Sequence, residues 1–140
     1  ERNEVEDKGV AFLKFENGAL GVIEGSTSVY PGFLKKLEIC GTEGSAVLEE
    51  ESLKTWKFKN GRPEDEEIRR EFFDKTTAGG GASDPKAINT LGHEREFKDL
   101  ADAIINNREP SVSGESASEA VKIITAIYES ARNGKPVQVK

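Results

Sequence analysis

Val10-Ala-Phe-Leu-Lys-Phe-Glu-Asn-Gly-Ala-Leu-Gly-Val-Ile-Glu-Gly-Ser26 is the stretch whose reading decides the fold class. Two β-prone runs, Val10 to Phe15 and Ala19 to Ser26, flank Asn17-Gly18. Asn-Gly tolerates the positive φ that both central residues of a two-residue turn require, so the segment predicts an antiparallel hairpin. Further short runs follow: Lys36 to Cys40 and Ser45 to Glu50, punctuated by Gly41 and Gly44, then Leu53 to Lys59, which stops at a second pair, Asn60-Gly61. Residues 60–67 read as a polar, acidic loop and Ile68 to Phe73 as a further strand. Residues 76–89, around Gly79-Gly-Gly81 and Asp84-Pro85, read as an irregular connection.

The period then changes. Phe97, Leu100, Ala101 and Ile104 recur at helical spacing, with Glu94/Lys98 and Arg95/Asp99 as i, i+4 pairs and Pro110 beyond the end. Ser116-Ala-Ser-Glu119 has the form of a capping box, and Ala120, Val121, Ile124, Ile127, Tyr128 and Ala131 make one apolar stripe that ends at Asn133-Gly134 and Pro136. Val137 to Val139 reads as a closing strand. Strands first and helices afterwards is the α+β pattern, here an open antiparallel or mixed sheet with helices packed on one face. On the first strand Val10 and Phe12 alternate with Ala11, Leu13 and Phe15, so both faces are apolar. Two one-sided helices cover only one of them, and the other is expected to pack against a second copy of the chain, making a homo-oligomer, the plainer alternative being a sparsely apolar, solvated face.

Composition narrows the function. Lys and Arg number 20 against 26 Asp and Glu, a net charge of -6 that repels phosphate backbones and argues against nucleic-acid binding. No apolar run approaches the roughly 18 residues that a membrane span needs. The single cysteine, Cys40, fits a reducing compartment, so a cytoplasmic protein is expected, and its place at the end of a β-run suggests a small core residue. Methionine is absent from a chain that starts at Glu1, as expected of a piece of something longer. The hydrophobic share of 35% makes for a lean core.

Most catalytic templates fail. The glycine run at 79–81 has no lysine and hydroxyl in P-loop register, and no βαβ pattern surrounds it, which favours a flexible loop over a phosphate cradle. One His and one Cys cannot supply the usual ligands of a zinc site, so no metal is expected. The acidic runs Glu49-Glu-Glu51 and Asp65-Glu-Glu67 fall at turns and read as solvated. Three positions remain as substrate-binding candidates. His93 stands at the start of a helix with Arg95 after it, where an imidazole can project into a cleft, the plainer alternative being a surface histidine. Tyr30, in Tyr30-Pro-Gly32 after Ser26-Thr-Ser28, could offer a phenol to a polyol, the plainer alternative being a packed aromatic in a turn.

Three stretches resemble one family. Val5 to Ser28, Leu37-Glu-Ile-Cys-Gly-Thr-Glu-Gly-Ser-Ala-Val-Leu48 and Ala126-Ile-Tyr-Glu-Ser-Ala-Arg-Asn-Gly-Lys-Pro-Val137 are similar, in order, to the C-terminal part of the Gfo/Idh/MocA oxidoreductases, the glucose-fructose oxidoreductase and inositol dehydrogenase family. The resemblance implies that residues 1–140 are a C-terminal substrate and oligomerisation domain, and that the parent carries an N-terminal Rossmann domain holding NAD or NADP. It further implies a sugar, sugar derivative or cyclitol substrate whose CH-OH group becomes C=O. The family's glycine-rich loop, active-site lysine and Asp/His motif lie outside the match, and His93 follows the strands instead of preceding them. No catalytic or cofactor-binding residue is therefore expected in this chain, which alone should be inactive. Tyr30, His93 and Arg95 stay as candidates for the pocket wall. The alternative is a non-enzymatic ligand-binding or assembly module built on the same sheet.

Overall fold

Asn17-Gly18 does turn the chain back, though by a different device from the one its spacing suggests. In the computed structural model, which describes residues 6–73 and 90–139, Gly18 takes a positive φ, at 86°, and Asn17 does not. Gly18 N donates to Phe15 O at 2.9 Å and Phe15 N donates to Ala19 O at 2.9 Å, so the loop has three residues and ends in a left-handed glycine. Asn17 contributes through its side chain, its Oδ1 accepting from Ala19 N at 3.0 Å. β1 (Lys8–Lys14) and β2 (Leu20–Ser26) form this hairpin. A closing bond from Thr27 N to Asp7 O, 2.9 Å, keeps the register set at the turn, which places Phe12 opposite Val22. Val10, Phe12, Leu20 and Val22 then share one face. On the other, a side chain at Gly21 would meet the Phe15 ring at 3.3 Å.

The structure is α+β, with its strands in two antiparallel sheets and its described residues in two compact units. One unit holds residues 6–8 and 26–73, the other residues 9–25 and 90–139.

The first unit is a three-stranded meander in the order β3 (Lys36–Gly41), β4 (Gly44–Glu49), β5 (Ser52–Phe58). Ile39, Ala46 and Trp56 form one cross-strand row and Leu37, Leu48 and Leu53 the next, so the apolar positions fall on one face. The register slips between Val47 and Leu48, adding Lys54 as an extra residue on β5 and bringing Leu53 beside Leu48. Gly44 has to be glycine here, since a Cβ would run into the Phe58 ring and come within 2.6 Å of Lys57 O.

The expected strand at Ile68–Phe73 and the end of the expected loop at 60–67 are both replaced by a helix, α1 (Asp65–Phe72). Asp65, Glu66 and Glu67 fill its first turn and Arg69 and Arg70 its last, the charge order that a helix dipole favours. Ile68 and Phe72 keep i, i+4 spacing, and Phe73, just past the helix, makes an isolated parallel bridge to Leu53. Leu53 is buried, as is Ala103 among the described residues. Cys40 is exposed, not a core residue: it alternates with Ile39 and so takes the face opposite the apolar rows.

In the second unit α2 (Leu91–Asn106) ends at Asn107, which adopts the left-handed region with φ 48°. Arg108 N donates back to Ala103 O at 3.0 Å, the six-residue closure of a Schellman motif. α3 (Gly114–Asn133) starts three residues before the expected capping box: the cap is Ser113, whose Oγ accepts from Ser116 N at 3.2 Å. Glu119 lies inside the helix and pairs instead with Lys122 at 2.7 Å. Gly134, φ 62°, ends α3 as the Asn-Gly-Lys-Pro sequence indicates. Residues 137–139 are not a strand, since after Pro136 no described strand pairs with them. The connection expected at 76–89 lies outside the described residues.

Candidate functional site

The three candidate residues fall in two places. Tyr30 lies in the first unit on the loop 27–35, between β2 and β3, and is 95% exposed. It is not the packed aromatic of the plainer reading. Val29, Phe33 and Leu34 of the same loop are exposed too, so the loop presents an aromatic and aliphatic surface around one phenol. Its start is fixed by Ser26, whose Oγ accepts from Ser28 N at 3.2 Å, and Ser28 Oγ lies 3.3 Å from it.

His93 and Arg95 both belong to the second unit, on the first turns of α2. Two residues apart on a helix, they point to different sides and do not form one face. His93 Nδ1 stands 3.6 Å from Glu96 Oε2, a contact that becomes an ion pair only when the imidazole is protonated. Glu94 accepts from Thr90 Oγ1 at 2.9 Å in place of the expected pairing with Lys98.

Sequence reasoning missed two polar clusters. In the first, the Trp56 indole donates to Asp65 Oδ1 at 2.9 Å and Arg62 N to Asp65 Oδ2 at 2.8 Å. Asp65 is buried, which corrects its reading as part of a solvated run. These two bonds, the backbone one foremost, hold its carboxyl below the ordinary range. Arg69 donates to Trp56 O at 3.2 Å, Arg62 lies over the Phe58 ring at 5.4 Å and Trp56 meets Phe58 edge-on, so α1 is locked to β5. The usable signal was the lone Trp at short separation from an Asp that follows Gly61-Arg-Pro63.

The second cluster ties α2 to the start of α3. Arg108 Nη2 donates to Asp99 Oδ1 and to Asp102 Oδ2, each at 2.7 Å. Asp99 also accepts from Ser111 N at 2.6 Å and from Ser111 Oγ at 3.0 Å, while Asp102 accepts from Asn106 Nδ2 at 2.8 Å. The Ser111 amide and then Arg108 push the Asp99 carboxyl down, and the two aspartates raise Arg108 further. Every oxygen of Asp99 is committed within the chain, so this cluster is a clamp and not a base awaiting a substrate.

Neither cluster, nor any other group of three His, Cys, Asp or Glu among the described residues, forms a metal site. A dinucleotide does not fit them either. Among the described residues the strands are antiparallel, and the one strand-to-helix turn, β5 to α1, has the Asp65 carboxylate where a pyrophosphate would need bare amides. No helix among the described residues is long and apolar enough to cross a membrane.

The described residues make an α+β domain with an exposed aromatic loop and two carboxylate clusters held by bonds within the chain. A family model described as the oxidoreductase family, C-terminal alpha/beta domain, of the Gfo/Idh/MocA group, matches residues 1–139. The chain belongs to that family. It is similar to a curated protein of Bacillus subtilis (strain 168), "Uncharacterized oxidoreductase YrbE", with 30% identity over 139 residues, covering 96% of this chain and 36% of the relative. The chain thus spans about a third of that relative's length. No solved structure matches.

Proposed function

We propose that this chain is the C-terminal domain of an NAD(P)-dependent oxidoreductase that acts on a sugar, sugar derivative or cyclitol. The observation that carries the proposal is the oxidoreductase-family match over residues 1–139. In such a reaction a hydride passes from the substrate carbon to the nicotinamide, a proton leaves the hydroxyl, and a carbonyl forms. The described residues form no dinucleotide cradle, and in this reading the cofactor and proton transfer belong to an N-terminal Rossmann domain. The contribution of this domain is a wall of the substrate pocket, through Tyr30 on the loop 27–35 of the first unit, and a sheet face that joins copies of the protein in a cytoplasmic homo-oligomer. The phenol and the aromatic surface around it on the loop 27–35 suit the alternating hydroxyls and CH faces of a polyol.

The test takes two preparations. The isolated chain, titrated calorimetrically with NADH and NADPH, is expected to give no saturable heat; saturable binding to it would overturn the division of labour. The full-length protein, assayed against a panel of sugars and inositols with NAD and NADP, is expected to reduce one of the nucleotides. Complete inactivity, with no Rossmann sequence upstream, would favour the non-enzymatic module instead.

A further inference from the structure

The loop 27–35 is a nine-residue connection whose apolar side chains, Val29, Tyr30, Phe33 and Leu34, all face water. Such a loop collapses or wanders unless both ends are fixed. Its first end is held by the Thr27 amide on Asp7 O and by the Ser26 hydroxyl. The other end is Lys35, and what holds Lys35 is one residue of the turn between β4 and β5.

That residue is Glu50, and its backbone is in the left-handed region at φ 51°. A non-glycine residue is disfavoured there, and glycine would make the same turn without strain. The carboxylate is what glycine cannot supply. Glu50 Oε1 accepts from Lys35 N at 3.1 Å, Oε2 lies 3.3 Å from Lys35 Nζ, and Glu50 N donates to Lys35 O at 2.9 Å. Three links converge on one loop residue, and the Glu50 side chain is only 11% exposed while that of Lys35 is 76% exposed. We propose that Glu50 is a positioning residue, kept in a strained turn so that its carboxylate locks Lys35 and sets the loop that presents Tyr30. The functional half of this inference rests on the reading of Tyr30 as pocket wall; the lock does not.

Hydrogen exchange on the full-length protein separates the two. In Glu50→Gly the turn relaxes and the acceptors are lost. The Lys35 amide and those of the loop are then expected to exchange on the order of tenfold faster, as for loss of one charge-assisted hydrogen bond, while β4 and β5 keep their protection. Glu50→Gln retains an amide oxygen for Lys35 N and is expected to restore most of the protection. Unchanged exchange across 29–35 in Glu50→Gly would overturn the proposal. So would faster exchange shared equally by β3, β4 and β5, because Glu50 would then be a general stability residue. If Glu50→Gly loosens the loop but Tyr30→Phe leaves the KM of the full-length protein unchanged across the sugar and inositol panel, the lock stands and the Tyr30 reading falls.

Discussion

Asn107 shows how much of a helix end one residue decides. Its φ of 48° belongs to the region that glycine enters freely and that asparagine tolerates better than other side chains, and the bonds from its own amide and from Arg108 depend on that conformation. Asn107→Val puts a β-branched side chain where the Cβ meets the following carbonyl, and is expected to destabilise by about 1–2 kcal/mol in a urea titration. Asn107→Gly is expected to be neutral or mildly stabilising in the same titration. Equal midpoints for the valine and glycine variants would mean that the left-handed cap contributes nothing. The same chemistry explains Gly134, which was legible because Asn-Gly-Lys-Pro closes an apolar stripe, whereas Asn107 sits in Asn-Asn-Arg with no glycine to mark it. Tyr30 and His93 were legible only as residue types; the full exposure of Tyr30 and the carboxylate of Glu96 beside His93 were not.

At the scale of elements, local pattern carried the hairpin, the meander and both long helices, because each states its period over several turns or pairs. It failed where tertiary partners chose between alternatives. Ile68 to Phe73 alternates weakly enough to pass for a strand, but Asp65 is seized by the Trp56 indole and the Arg62 amide, and that anchor starts a helix. The cap of α3 was misplaced because Ser113 and Ser116 both qualify by type, and the choice between them follows from where α2 and its clamp release the chain. That clamp is also where a pH dependence arises. The folded Asp99 carboxyl titrates below its ordinary value of 3.8, chiefly through the Ser111 amide and then Arg108. A depressed carboxyl stabilises the fold above its unfolded pKa, and the contribution is lost as pH falls through the lower folded value. Thermal midpoints of the wild type are therefore expected to drop below about pH 4, with Asp99→Asn less stable at neutral pH and flatter over that acid range. Parallel pH profiles for the two proteins would remove Asp99 from the acid transition.

For the whole molecule the question is what the exposed hairpin face is for. Val10, Phe12, Leu20 and Val22 lie together on one side of β1 and β2, and Phe12 is 85% and Leu20 80% exposed. Four large apolar residues on one two-stranded face are more than isolated surface hydrophobics, and an edge-bearing sheet left this way invites association. A second copy is the occupant in keeping with the proposed oligomer, since an isologous contact covers the same patch on both partners. The full-length protein is expected to run as an oligomer at micromolar concentration in light scattering. Phe12→Asp with Leu20→Asp places two charges per copy at the centre of the contact and is expected to release monomers, while circular dichroism stays unchanged because both side chains are exposed among the described residues. A wild type that is already monomeric, or a double variant that keeps the wild-type mass, would move the interface to another surface. Loss of the dichroism signal along with the mass would instead show that the hairpin face is part of this chain's own core.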